Sequence, residues 1–332
     1  MYIPGFVKSA MNTIPTTFNI PDTSYTVIGG KKKNKKISTP SEISFLVLIR
    51  GERFYIDDFL VSLERLGIFD VLIADTESFP YDIEALAAKH PRCRFLIFQK
   101  PVSIGKMINT GIEESHGNYI FVLWNDIRIP ASLVLKRLLP KVKEHSVLCL
   151  VPLLQNRKYE TLPTIKVPAF FRKTLKMVSL SPSAGGMATL FPSDYLGIYR
   201  KELFVLTGGY DVTIQNPYWQ KMDFGFRSYM WDEKILCETG FRLLYTGDVP
   251  AEDTTPDEYY KYFFLKNLCI RFQGDSGILP FSRFPSYLIK SGDNFFESLR
   301  DFKTVKKWVN TNTYRFKQDA RSVTELWELP EM

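Results

Sequence analysis

Five consecutive apolar residues, Tyr119-Ile120-Phe121-Val122-Leu123, run straight into Trp124-Asn125-Asp126. A run of that length, rich in aromatic and β-branched residues, reads as a strand buried on both faces. Such strands belong to parallel sheets, and open α/β sheets place their ligands at the strands' carboxyl ends. The polar pair Asn125-Asp126 at this end is therefore a candidate site. The segment before it, from Ile104, reads as a helix. Gly105, Ile108, Gly111 and Ile112 share one side, Glu113 and Glu114 lie opposite, and Gly117-Asn118 stops it. Pro130 opens another helix.

The same alternation begins earlier. Ile43–Ile49 reads as a first strand and Tyr55–Leu66 as a helix with apolar residues on one face. Asp70–Ala74 is a second strand, Asp82–Lys89 a short helix and Phe95–Phe98 a third strand. Strands and helices in turn predict a mostly parallel sheet with helices on both faces. Arg50 follows the first strand, Asp75 the second and Asp126 the fourth, so these three point at one crevice. No G-x-G-x-x-G and no Walker A sequence is present, which argues against a dinucleotide dehydrogenase or a P-loop ATPase.

Beyond Pro130 the pattern predicts a helix over 131–142 and a strand over 147–151. Residues 152–183 are irregular, as in a segment that covers a site or binds a second substrate. A short strand over Phe241–Tyr245 and an aromatic helix over Tyr259–Phe272 follow, and the chain is basic and helical from Gly274 to Trp327. Residues 1–40 carry several prolines and the run GGKKKNKK from Gly29 to Lys36. They read as a solvated arm, or as a basic patch for anionic lipid or an acidic partner.

The net charge of +7 suits an anionic ligand or surface. Nucleic acid is not expected, because no helix-turn-helix, zinc-finger or RNA-recognition signature occurs. Cys93, Cys149, Cys237 and Cys269 lie far apart without metal spacing, as reduced structural thiols of a cytoplasmic protein do. His90 and His116 fall at turns and read as surface residues, and with His145 the only other histidine, a histidine metal site or a Ser-His-Asp triad is not expected. No apolar run approaches the ~20 residues of a membrane span. The start of the chain lacks a signal-peptide pattern. The expected location is cytoplasmic, with the basic arm able to reach the inner face of a membrane.

Residues 43–272 resemble the family 2 glycosyltransferases, and the matches come in family order. Phe45–Ile49 is similar to the first strand and Phe59–Leu63 to the helix after it. Val71–Ser78 resembles V-V-D-D-G-S, and Lys106–Ile112 resembles x-A-R-N-x-G-I. Gly117–Leu123 leads to Trp124-Asn125-Asp126 at the D-x-D position. Gly208-Gly209-Tyr210-Asp211 resembles G-G-F-D, and Trp219 to Arg227 resembles W-x-E-D-x-D-x-x-x-R. The chain departs from the pattern in two places: Trp124 replaces the first Asp of D-x-D, and Gln220-Lys221 replaces E-D.

The resemblance implies a GT-A domain, a Rossmann-like, mostly parallel sheet flanked by helices, over 41–275. An arm over 1–40 and a basic helical extension over 276–332 complete the chain. The implied activity is inverting transfer of a sugar from a nucleotide-diphospho-sugar to an acceptor hydroxyl of a glycan, lipid-linked or protein acceptor, in glycan or cell-surface polysaccharide synthesis. The alternative is a degenerate GT-A domain that binds nucleotide-sugar or a partner without turnover. The resemblance makes Asp75 a contact to the nucleotide base. Asp126, with Asn125, would take the diphosphate through Mg²⁺ or Mn²⁺. Arg50, Lys106 or Lys221 would add positive charge. Asp223 would be the base, and Trp219 and Arg227 would contact sugar or acceptor. Each has a structural reading beside it: Asp126 as a helix cap, Asp75 as a turn residue, Asp223 as an ion pair with Arg227, Trp219 as core. Asn109 reads as a brace of its helix.

Overall fold

Parallel pairing converts the alternation of residues 43–130 into an open sheet. The structure is a computed structural model, and it describes residues 24–30, 42–51, 56–65, 70–76, 82–130, 135–144, 146–172 and 174–327. In chain order the elements are β1 (Tyr25–Gly29), β2 (Ile43–Leu48), α1 (Ile56–Arg65), β3 (Val71–Thr76), α2 (Ile83–Lys89), β4 (Cys93–Phe98), α3 (Ile104–Glu114), β5 (Tyr119–Trp124) and β6 (Ile127–Arg128). Then come α4 (Leu135–Glu144), β7 (Cys149–Gln155), β8 (Ile165–Phe171), β9 (Thr174–Leu180), β10 (Met187–Ala188), β11 (Gly197–Arg200), α5 (Lys201–Leu206), α6 (Pro217–Met230) and β12 (Ile235–Tyr245). The chain continues through α7 (Tyr260–Phe263), β13 (Arg271–Gln273), β14 (Ser276–Ile278), α8 (Phe284–Ser291), α9 (Phe295–Thr311) and α10 (Ala320–Glu325).

β2 pairs in parallel with β3 on one side and β5 on the other, and β3 pairs with β4. The strand order therefore reverses at β2, and the crevice between the carboxyl ends of β2 and β5 is a topological switch point. Every residue of β2 and β5 is buried, as their unbroken apolar runs require. β11 inserts antiparallel between β5 and β7, and β12 runs parallel to β7. The register of β12 against β7 shifts between Glu238 and Arg242, a bulge or irregularity within the strand that ends at Tyr245.

Several expectations are corrected. The stretch read as an arm contains β1, which pairs antiparallel along the edge of β4. Its run Lys31–Lys36 lies outside the described residues, as do Glu77, Ser78 and His145. His90 is buried, not a surface residue, because Asp57 and Glu64 satisfy its two ring nitrogens at 2.8 and 3.0 Å. The strand expected over Phe241–Tyr245 begins at Ile235. The expected aromatic helix is short, α7 followed by a π-helical turn over Phe264–Leu268.

Two apolar clusters share α6. One surrounds the sheet. The other joins α6 to the C-terminal helices, with Trp231 stacked on Trp308 at 6.0 Å and Phe226 against Phe263 at 5.8 Å. Packed from both sides, α6 buries its charged residues as well as its apolar ones.

Candidate active site

Arg50, just beyond β2, is the hub of the crevice. Its Nε and Nη2 donate to Asp126 Oδ2 and Oδ1 at 2.8 and 3.0 Å, and its Nη1 donates to Asp194 Oδ2 at 2.7 Å. The guanidinium lies 4.5 Å from the centroid of the Trp124 ring and 5.8 Å from that of Tyr245. Its backbone N–H donates to Asn125 Oδ1 at 2.9 Å. Burial opposes the charge on Arg50, but Asp126 and Asp194 outweigh it and raise its pKa further. The departure at Trp124 now has a physical account: its ring is a platform for Arg50, and its Nε1 donates to the Asp194 carbonyl at 3.0 Å.

Asp194 arrives from the irregular segment before β11. It and Tyr195 both hold left-handed backbone, with φ of 51° and 62°. Non-glycine residues in that region cost of order 1–3 kcal/mol each and persist where surrounding structure enforces them. Here the enforcing contacts are Trp124 on the Asp194 carbonyl and the Tyr195 hydroxyl, which donates to Gln220 Oε1 at 2.9 Å. Tyr245 donates to Asp194 Oδ2 at 3.0 Å, while Oδ1 has no hydrogen-bond partner among the described residues. Burial pushes the Asp194 carboxyl above its ordinary value, against the pull of Arg50 and Lys221.

Two adjoining cavities meet at Arg50. The larger, about 610 Å³, is lined by Asp194, Tyr195, Lys221, Lys166, Glu252 and Thr164 among others. The Thr164 hydroxyl has no hydrogen-bond partner among the described residues. The second, about 490 Å³, is lined by Asn125, Asp126, Arg157, Gly247 and Asp248. In the larger cavity Lys221 pairs with Glu252, and Lys166 lies 3.3 Å from the same carboxylate. Burial would raise the Glu252 pKa, but the two lysines outweigh it and hold it below the ordinary range.

The structure thus brings together Arg50, Asn125 and Asp126, with Lys221 across the larger cavity. It does not bring the other predicted residues to them. Asp223 is fully buried away from both cavities: its Oδ2 accepts from Arg227 at 3.0 Å, and its Oδ1 accepts from Asn267 at 2.9 Å and faces Lys266 at 3.4 Å. Burial opposes ionisation of Asp223, but Lys266 and Arg227 outweigh it, so its pKa falls below the ordinary value. A carboxylate so enclosed is a structural ion pair. Arg227 is its partner and also donates to the carbonyls of Thr207 and Gly209, pinning the Gly208-Gly209 turn. Trp219 is core: it stacks on Phe263 at 5.4 Å and donates to the Thr255 carbonyl at 3.1 Å. Asp75 is buried near the end of β3, and Lys106 lies in the first turn of α3; neither lines either cavity. Asn109 braces the turn after α5 through both Tyr210 N and Tyr210 O, at 2.9 and 2.8 Å.

Asp194, Glu252, Lys166 and Arg157 were missed by sequence reasoning. Lys166 lies on β8, inside the stretch read as irregular, and the other three lie outside the strands and α-helices, where no periodicity marks them. Gln220, at an altered motif position, is a bracket: it accepts from Gly105 N at 2.9 Å and donates to the carbonyls of Asp211 and Ile214. A Cβ on Gly105 would lie 2.5 Å from Gln220 Oε1, so glycine is required for this approach of α3 to α6.

The donor set does not fit a divalent cation. Both oxygens of Asp126 are engaged by Arg50, which also holds Asp194, and Mg²⁺ or Mn²⁺ needs several oxygen ligands. Among the described residues no group of three or more His, Cys, Asp or Glu could hold a metal.

A switch-point crevice in a mostly parallel sheet, extended by antiparallel β11 and backed by a long buried helix, defines the GT-A glycosyltransferase fold. It is shared with the crystal structure of GalNAc-T7 with UDP, GalNAc and Mn²⁺: TM-score 0.54, 14% identity, 87% of this chain and 59% of that one. The structure of S. aureus TarS 1–349 in complex with UDP-GlcNAc is also similar: TM-score 0.47, 14% identity, 82% of this chain and 72% of that one. No family model matches the chain, and no curated protein does.

Proposed function

We propose that the protein is a glycosyltransferase of family 2 type. It moves a sugar with inversion from a nucleotide-diphospho-sugar to a hydroxyl of a glycan, lipid-linked or protein acceptor, in glycan or cell-surface polysaccharide synthesis. One observation carries the reading: an arginine held between two carboxylates at the switch point, where two cavities meet. The smaller cavity offers Arg50 and Arg157 to a diphosphate. The larger offers space for the sugar and the acceptor, with Asp194, Glu252 and the Thr164 hydroxyl as polar contacts.

In the reaction the acceptor oxygen attacks the anomeric carbon as the bond to the phosphate oxygen breaks. That electron pair leaves with the diphosphate, whose charge Arg50 stabilises. The acceptor proton passes to Asp194 Oδ1, the oxygen without a hydrogen-bond partner among the described residues. A carboxylate raised by burial is a better base near neutrality than an ordinary one, and Arg50 and Tyr245 on Oδ2 fix its orientation. Asp194 so takes the role that sequence reasoning gave to Asp223. A single in-line displacement inverts the anomeric centre. No step is routed through a metal.

A second reading, donor binding without turnover, is favoured by Gln220-Lys221 at the E-D position. Release of nucleoside diphosphate from a panel of UDP-, GDP- and dTDP-sugars separates the two. Transfer predicts release with at least one donor, and a loss of about 10²–10⁴-fold in Asp194→Asn with donor affinity kept. Binding without release from any donor and acceptor supports the second reading, and full activity in Asp194→Asn refutes the assigned base.

A further inference from the structure

The C-terminal helices expose a surface that the transfer reaction does not use. Phe281 stacks on Phe284 at 5.4 Å, Phe284 meets Phe295 at 5.5 Å, and Phe295 meets Phe296 at 5.7 Å. Phe284 is buried, but Phe281, Phe295 and Phe296 are 57%, 50% and 80% exposed. The rings therefore form a continuous aromatic surface from the turn before α8 to the first turn of α9. Ile289 on α8 is 84% exposed and is followed by exposed Lys290. On α9, Phe296, Arg300, Lys303 and Lys307 recur at the spacing of one helical face, and all are exposed.

The charge of this surface is one-sided. Arg283, Lys290, Arg300, Lys303, Lys306 and Lys307 face few acids: Asp293 is paired with Lys261 at 2.6 Å, and Asp301 is buried, with Arg300 Nε at 3.8 Å. Glu297 is the exposed acid on α9. Aromatic residues at one end of a helical face and lysines along the rest match the two layers of an anionic membrane surface. A peptide partner would need a groove for these anchors. Phe281, Ile289, Phe295 and Phe296 line neither active-site cavity, nor a further cavity near α10.

We propose that α8 and α9 dock the protein on an anionic phospholipid bilayer, with Phe281, Ile289, Phe295 and Phe296 at the interface and Arg300, Lys303 and Lys307 against the phosphates. The inference stands independently of the transferase reading. Co-sedimentation of the full chain with phosphatidylcholine vesicles, with and without about 30% phosphatidylglycerol, tests it. Binding is expected only to the anionic vesicles and weakens with added salt. The double variants Phe296→Ser/Ile289→Ser and Lys303→Glu/Lys307→Glu each lose roughly 10-fold or more in affinity. Both keep the wild-type melting temperature, since all four side chains are exposed. No vesicle binding, equal binding to neutral vesicles, or binding unchanged by both double variants overturns the proposal. Binding lost only on replacing Lys31–Lys33 places the contact in the N-terminal arm and also overturns it. A wild-type dimer that Phe296→Ser converts to monomer, without vesicle affinity, points to a protein partner and overturns it too.

Discussion

Replacing Arg50 by alanine removes one guanidinium and strands two carboxylates. Asp126 loses two hydrogen bonds, of 2.8 and 3.0 Å, and Asp194 loses one of 2.7 Å. Removing one partner of a fully buried pair costs about 3–5 kcal/mol. Here the three side chains keep between 16% and 24% exposure, so water recovers part of that. Asp194 can also take up a proton, its pKa being already raised by burial. The expected loss is about 2 kcal/mol. The two freed carboxylates then become oxygen donors for a hard divalent cation. Scanning calorimetry in EDTA and in Mn²⁺ should show a wild-type melting temperature that Mn²⁺ does not move. Arg50→Ala should melt lower in EDTA and recover in Mn²⁺. Cation at a hundredfold its Kd contributes about 2.7 kcal/mol, roughly 4 °C for a chain of 332 residues. The reasoning is refuted if Mn²⁺ stabilises wild type as much as the variant, because a cation would then compete successfully with Arg50 for Asp126.

Asp223→Asn should destabilise the fold by about 3–5 kcal/mol in denaturant melts, because it leaves Lys266 and Arg227 buried and under-paired. Because the folded pKa of Asp223 is lowered, the stability it contributes is present above the ordinary value of 3.8 and is lost as pH falls through the folded value; the acid limb of a pH–stability curve should be shallower in the variant. The rate of transfer should fall on its acid side with a midpoint above 3.8, because the raised Asp194 must be ionised to accept a proton, and Asp194→Asn should abolish that limb in a pH–rate profile. Gly105→Ala should destabilise the α3–α6 contact by about 1–3 kcal/mol, measured by thermal melting, because its methyl would meet the Gln220 amide.

The sheet was legible because β2, β3, β4 and β5 are short apolar runs that only a doubly covered parallel sheet can bury. Parallel strands also bring Arg50 and Asp126 to one end, so that part of the site followed from strand polarity alone. Asp194 reaches Arg50 across 144 residues from an irregular segment, and Glu252 meets Lys221 from the stretch after β12. No periodicity encodes either approach. Asp223 was read as a base because it is the carboxylate nearest to Gln220-Lys221, which replace the E-D pair. Its burial depends on a second apolar cluster formed with α7 and α9, which only the packed helices reveal. His90 was read as a surface turn for a similar reason: its partners Asp57 and Glu64 lie on α1, more than 25 residues away.

The claim that this crevice handles a nucleotide-diphospho-sugar is tested most directly by a crystal structure with a bound nucleoside diphosphate, grown in EDTA. The account predicts diphosphate oxygens within hydrogen-bond distance of Arg50 and Arg157, with Asp194 Oδ1 open to the cavity beside them. A nucleotide seated elsewhere, or one that enters this crevice only with a divalent cation on Asp126, would contradict it.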